Sequence, residues 1–275
     1  MHALRAIAIH AYIILQVEIS TDCGQFPKQH EAPTMKAWRC DLTALSQLYN
    51  LYFLASNDTI HVHQPSFPNQ SLPDEPSLIL HPPISHEQGF GVDPEDPHSV
   101  TRILVDYLGH QEVLLLSCDD GDIIGYRVDE IYGALKRQTA TPGLDSAYLD
   151  ENVKVFLHRN VGASAWGLAV HREARMIAIS ANTHKVTVLA YALAAFPRNT
   201  KAPSERDFSE SEEFVSPELK LASDFPSPRR KDHIFTLTGK TNIPAVSFDN
   251  SGNDPVGRWL FSSSIDGKVM VWDVH

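Results

Sequence analysis

Cysteine is scarce and unpaired in pattern. Cys23, Cys40 and Cys118 are an odd number with no C-x-x-C pair, which argues against a disulfide framework and a structural zinc site and fits a reducing compartment. Basic residues are short as well: 23 Lys plus Arg stand against 34 Asp plus Glu, for a formal net charge of -11. So negative a surface repels a phosphate backbone, and direct nucleic-acid binding is not expected. The densest basic run, Arg229-Arg230-Lys231, reads as a solvated loop. No long apolar run occurs either. The best candidate, residues 6–17, is interrupted by His10 and Gln16 and followed at once by Glu18; it is too short and too polar to span a bilayer. It also has only Arg5 as a basic start and no small-residue cleavage site, so a strand or helix packed on the domain is the expectation there, and no membrane partner. Neither G-x-G-x-x-G nor a Walker pattern is present, which removes the Gly-rich phosphate loops.

What the chain does have is a repeated hairpin. In RWLFSSSIDGKVMVWDV, residues 258–274, an apolar strand meets Asp266-Gly267, a second strand returns, and Trp272-Asp273 closes it. Gly tolerates positive φ and Asp tolerates it better than most residues, so this pair supplies a two-residue turn. Strand, Asp-Gly turn, strand and Trp-Asp is the signature of a WD-repeat propeller blade. Three further copies are LYFLASNDTIHVHQP (51–65), EVLLLSCDDGDIIGYRV (112–128) and RMIAISANTHKVTVLAY (175–191). With Asn57, Asp120, Thr183 and Asp266 equivalent, the spacings are 63, 63 and 83 residues, and the sixth residue onward is His63, Tyr126, Leu189 and Trp272. A strand precedes each hairpin at 42–48, 99–107, 165–171 and 243–248, and outer strands fit at 77–81, 153–158 and 233–239. Four strands per unit make a blade. MIAIS (176–180) and VMVW (269–272) are apolar on both faces, as expected of sheets packed between two neighbours.

The spacings exceed a usual blade of about 40–45 residues, so each unit carries an insertion. Residues 65–76 are rich in Pro, Asn and Ser, and VDEIYGALKR (128–137) has helical spacing at Ile131 and Leu135. Residues 197–232, acidic through SESEEF, read as a disordered loop whose Ser216-Pro217 and Ser227-Pro228 are candidate phosphorylation sites. The organisation expected is therefore an N-terminal segment, 1–40, of unassigned structure, then an all-β WD-repeat β-propeller of about four blades over 41–275, an incomplete ring and a fragment of a larger propeller.

Catalytic patterns fail one by one. GASAW (162–166) has Trp166 where a nucleophile elbow needs Gly, and a strand follows where the elbow needs a helix. A serine hydrolase built on Ser164 is thus the losing reading. Counted from Asp119, the third and fifth positions of an EF-hand loop fall on Gly121 and Ile123, so Asp119-Asp120-Gly121-Asp122 is a hairpin turn. His61 and His63 share a strand face without a visible third ligand. No catalytic residue, cofactor or metal is expected.

Binding is left. In a propeller the loops from each outer strand to the next inner strand share a face with the hairpin turns. That face collects Arg159, Asn160, Trp166, Asp119, Asp120, Asn182 and His184. An aromatic and an arginine among short polar residues is hot-spot composition; the competing reading makes Trp166 blade core and the aspartates turn formers.

Four strings are more specific: PSLILHPP (76–83), DPHSV (96–100), LLLSCDDGDIIGY (114–126) and RNVGASAWGLAVHREARMIAISANTHKVTV (159–188). Over 42–275 the chain resembles the fungal WD-repeat regulators of ribonucleotide reductase gene transcription. The resemblance implies a non-catalytic scaffold, nuclear or nucleocytoplasmic, that influences gene expression through contacts with other proteins. A substrate receptor of a cullin-type ubiquitin ligase is the related alternative. Members of that family are longer, and residues 1–40 align with none of it.

Overall fold

A computed structural model describes residues 36, 39–68, 71–85, 91–140, 153–193, 229 and 231–274. Nearly all of the N-terminal segment, only residues 36, 39 and 40 excepted, and nearly all of the acidic 197–232 insertion lie outside the described residues, as do both Ser-Pro pairs.

Four antiparallel sheets follow one another along the chain. The first is β1 (Thr43–Ser46), β2 (Leu51–Ser56), β3 (Thr59–His63) and β4 (Leu78–Leu80); the second is β5 (Val100–Leu108), β6 (Gln111–Cys118), β7 (Asp122–Arg127) and β8 (Val155–Asn160). The third comprises β9 (Ala165–His171), β10 (Met176–Ala181), β11 (Lys185–Ala190) and β12 (His233–Thr238). The fourth holds β13 (Ala245–Phe248), β14 (Trp259–Ser263) and β15 (Val269–Asp273). Each sheet is ordered as its strands occur in sequence, and the last has three strands where the others have four. The hairpin turns at Asn57, Asp120-Gly121, 182–184 and Asp266-Gly267 fall where the repeat puts them. A helix, α1 (Val128–Ala140), opens the insertion between β7 and β8. It runs three residues beyond the expected Arg137, with Asp129 and Glu130 in its first turn and Arg137 in its last, on the favourable ends of the helix dipole. Among the described residues no helix is long and apolar enough to cross a membrane.

The inner strands β1, β5, β9 and β13 are neighbours in that order, and the sheets stack face to face around them. This is the blade-on-blade stacking of a propeller. Because strand side chains alternate, each middle sheet contributes to two cores. Leu114, Leu116, Ile124 and Tyr126 face the first sheet, joined by Ile131 and Leu135 of α1, while Val113, Leu115 and Ile123 face Leu168, Val170, Ile177 and Ile179 of the third. The opposite residues of the third sheet, Ala178, Val186 and Val188, meet Val246, Phe248, Leu260 and Trp272 of the fourth.

The fourth sheet departs from the expectation of burial on both sides. β10 is buried at every residue, as expected, but β14 and β15 alternate. Trp259, Phe261, Val269 and Val271 face outward at 37, 38, 71 and 56% exposure. Apolar composition on both faces therefore reflects what such a sheet is made to meet, and here one side is open. Leu116→Ala is expected to cost about 2–5 kcal/mol by cavity formation, whereas Val269→Ala stays within about 0.5 kcal/mol. Urea unfolding of the two variants measures the contrast.

Candidate partner-binding face

The turn end of the stack is built first from backbone. The Val100 amide donates to the Asn57 carbonyl at 2.7 Å, Val161 to Gly121 at 2.9 Å, Asn182 to Ser164 at 3.0 Å, Gly239 to His184 at 2.7 Å and Ile265 to Asn242 at 3.0 Å. Every hairpin turn is thus tied to the loop that begins the next sheet or leaves the previous one. The fit leaves no room at Gly121, which has φ +92; a β-carbon there would run into the Gly162 carbonyl. Glycine meets both demands, left-handed backbone and close approach.

Three buried carboxylates hang from the β6–β7 turn. Asp119 accepts from the Ser164 hydroxyl at 2.6 Å through one oxygen and from the Asp93 amide at 2.7 Å through the other. The Arg39 guanidinium, itself nearly buried, stands 3.1 Å from the same carboxylate. Asp120 is hydrogen-bonded to His98 Nδ1 at 2.6 Å and accepts from the Asp122 amide at 3.0 Å. Asp122 accepts from Ser85 through amide (2.7 Å) and hydroxyl (2.5 Å) and from Asn160 Nδ2 at 2.9 Å, with His158 Nε2 3.4 Å away. Burial works against a charged His98. The hydrogen bond to Asp120 and the charges of Asp120 and Asp122 outweigh it and hold the imidazole above its ordinary 6.5. Burial likewise opposes the charge on Asp122, but its bonds to Ser85, Asn160 and His158 keep it below the usual carboxylate value.

Ligand atoms of His98, Cys118 and Asp120 lie within 4.8 Å of one another, a grouping that could hold a metal. The 2.6 Å between His98 Nδ1 and Asp120 is proton-sharing distance. Two ligands on a tetrahedral zinc with bonds of about 2.0–2.1 Å stand roughly 3.3 Å apart. Burial, chiefly, also pushes the Cys118 thiol far up, away from the thiolate a metal needs. Structural pairing is the better fit.

A family model described as CRT10 matches residues 42–273, most of the chain. The chain belongs to the CRT10 family. A WD40 repeat-containing protein of Dictyostelium discoideum is 24% identical over 239 residues, 87% of this chain and 25% of that protein. The chain therefore spans about a quarter of that relative's length. A solved chain from a crystal structure of the mitotic checkpoint complex overlaps 91% of this chain and 54% of its own, at 12% identity and a TM-score of 0.44.

In this CRT10-family chain the residues singled out by sequence divide by depth. Arg159 and His184 are exposed, and Asn160, Trp166 and Asn182 are half-buried at the same turn end. Asp119 and Asp120 are brought to that end too, but their carboxylates point inward and are occupied. Trp166 donates through Nε1 to Ser164 Oγ at 2.5 Å, and Asn160 spends its amide on Asp120 and Asp122. Ser164 is fully buried at positive φ, its hydroxyl given to a carboxylate and not to an imidazole. His61, half-buried, and His63, buried, share the face of the first sheet opposite Ile60 and Val62, their pKa values lowered, mainly by burial. Sequence reading missed Arg39, Ser85, Asp93, His98 and His158, the partners that hold the aspartates, and read Asp122 only as part of a turn.

Asp119→Ala is expected to cost about 3–5 kcal/mol, because it strands the buried Arg39 charge; Arg159→Ala should stay within about 0.5 kcal/mol. Chemical denaturation reads both. The His98 ring should titrate by NMR with a midpoint above 6.5. Since folding raises this pKa, the increment it adds to stability is complete below 6.5 and fades as pH climbs through the folded value. Stability measured against pH should lose that slope in His98→Asn.

Proposed function

We propose that this chain is a non-catalytic scaffold in the regulation of gene expression, gripping regulatory proteins with the turn end of its stacked sheets. Membership of the CRT10 family together with the WD40-type relative supports the class. One observation carries the surface: exposed Arg159 and His184, with Trp166, Asn160 and Asn182 beside them, stand on a frame in which the Asp119 and Asp122 carboxylates, Ser164, Asn160 and Trp166 are tied together by side-chain hydrogen bonds. A frame so tied costs little further ordering when a partner docks, which is the condition for hot-spot residues to act. The regulated genes are those of ribonucleotide reductase, and the compartment is the nucleus or nucleus plus cytoplasm. The net charge of -11 favours partners with basic surfaces and disfavours direct contact with DNA.

The acting test replaces Arg159 by Glu, His184 by Ala and Asn182 by Ala together in the full-length natural protein. Ribonucleotide reductase transcript levels should shift as they do on deletion, while the melting temperature stays within a few degrees of the parent. Unchanged transcripts with a folded variant would remove this face from the function. Co-purification of a cullin adaptor, lost in the same variant, would instead select the ligase-receptor reading.

A further inference from the structure

The outer edge of the third sheet is open backbone without the usual guards. β12 ends its sheet and pairs on one side with β11 over all six residues, with no shift of register. The Gly239 amide donates to the His184 carbonyl at 2.7 Å. By the alternation of an antiparallel ladder, His233, Phe235 and Leu237 then turn their peptide groups toward β11, while Ile234, Thr236 and Thr238 turn theirs outward. Among the described residues no strand pairs with that outward side. Such an edge is a template for another chain, and proteins ordinarily blunt it with shortness, proline, charge or a bulge. β4 is three residues long and runs into Pro82-Pro83. β8 has Lys154 just before it, Arg159 within it and a register shift against β7. β12, with the sequence HIFTLT, has none of these devices.

What the edge is suited to meet follows from its flanks. Lys231 before it, Lys240 after it and Lys185 across from Thr238 are all exposed. The carboxylate beside them, Asp232, accepts from the Ala192 amide at 2.6 Å. This positive rim runs against the net charge of -11, and with a screening length of about 8 Å the nearby charges decide what docks. Ile234, 50% exposed, adds an apolar contact. We propose that β12 is a docking edge for an extended segment of a partner protein, acidic at its ends, which adds a fifth strand to the third sheet. Backbone hydrogen bonds to Ile234, Thr236 and Thr238 supply the grip, and the lysines select carboxylates on the segment. The proposal is independent of which proteins the turn end grips.

The test titrates a fluorescein-labelled peptide, Glu-Glu-Thr-Val-Thr-Val-Glu-Glu, with the whole chain and reads fluorescence anisotropy. Binding should saturate, and hydrogen exchange at the Ile234, Thr236 and Thr238 amides should slow at least tenfold in the complex. Thr236→Pro removes an outward N–H and no bond to β11, so it should weaken binding at least tenfold with an unchanged circular-dichroism melt. Lys231→Glu combined with Lys240→Glu should weaken it as much, and a peptide with Lys in place of every Glu should then recover the affinity. No saturation at millimolar chain, or full affinity in either folded variant, overturns the proposal. So does exchange at the three amides that is already slow in the parent without peptide, which would mean that the chain's own acidic insertion holds the edge.

Discussion

Asp119 is where the sheets are fastened to one another. Its two side-chain oxygens and its backbone reach four separate stretches of chain: Ser164 at the entrance to the third sheet, Asp93 in the loop after the first, Ser99 beside β5, and Arg39 before β1. A carboxylate without solvent is tolerated only when its lone pairs are filled and its charge is met. That demand fixes the relative placement of three sheets, since moving any of them orphans a buried group. Ser164 illustrates the consequence. It holds positive φ at full burial, a strained state for a non-glycine residue, and the bonds of its amide and hydroxyl to Asp119 hold it there.

Apolar packing supplies the bulk of the attraction, and alternation gives it direction. β6 and β10 are buried along almost their whole length because each is sandwiched, and their residues divide cleanly between two cores. Polar ties at the turn end and apolar cores along the blades do different work. The cores bring sheets together with little preference in sliding register. The hydrogen-bonded turns set that register.

Much of this was legible from residue order alone. Period-two alternation and Asp-Gly turns located the hairpins to within a residue or two, and β9 starts and ends where AWGLAVH does. The local signals for α1 were equally clear, though its last turn extends past Arg137 because helical propensity continues up to the break near Pro142. What was hidden is everything that depends on distance across the fold. Asp119 and Asp120 looked like surface turn formers because turns are ordinarily wet. Their burial comes with residues 91–99 folding back over them, Asp93 contacting Asp119 and His98 contacting Asp120. No spacing rule connects Arg39 to Asp119. The open face of the fourth sheet was hidden for a related reason: composition reports what a strand is suited to touch, and not whether the neighbour is there.

The position of the insertions carries a consequence of its own. Residues 64–77, 128–154 and 191–232 all join a third strand to a fourth, and these connections leave and re-enter the sheets at the end of the stack remote from the hairpin turns. At the turn end, by contrast, even a methyl group at Gly121 has nowhere to go, and Ser85 and Asp93 between the first and second sheets are bonded to aspartates. The molecule therefore has a constrained pole and a permissive one. Added length is carried at the second, as a helix in one repeat and a charged stretch of sequence in another, while the first is held in shape.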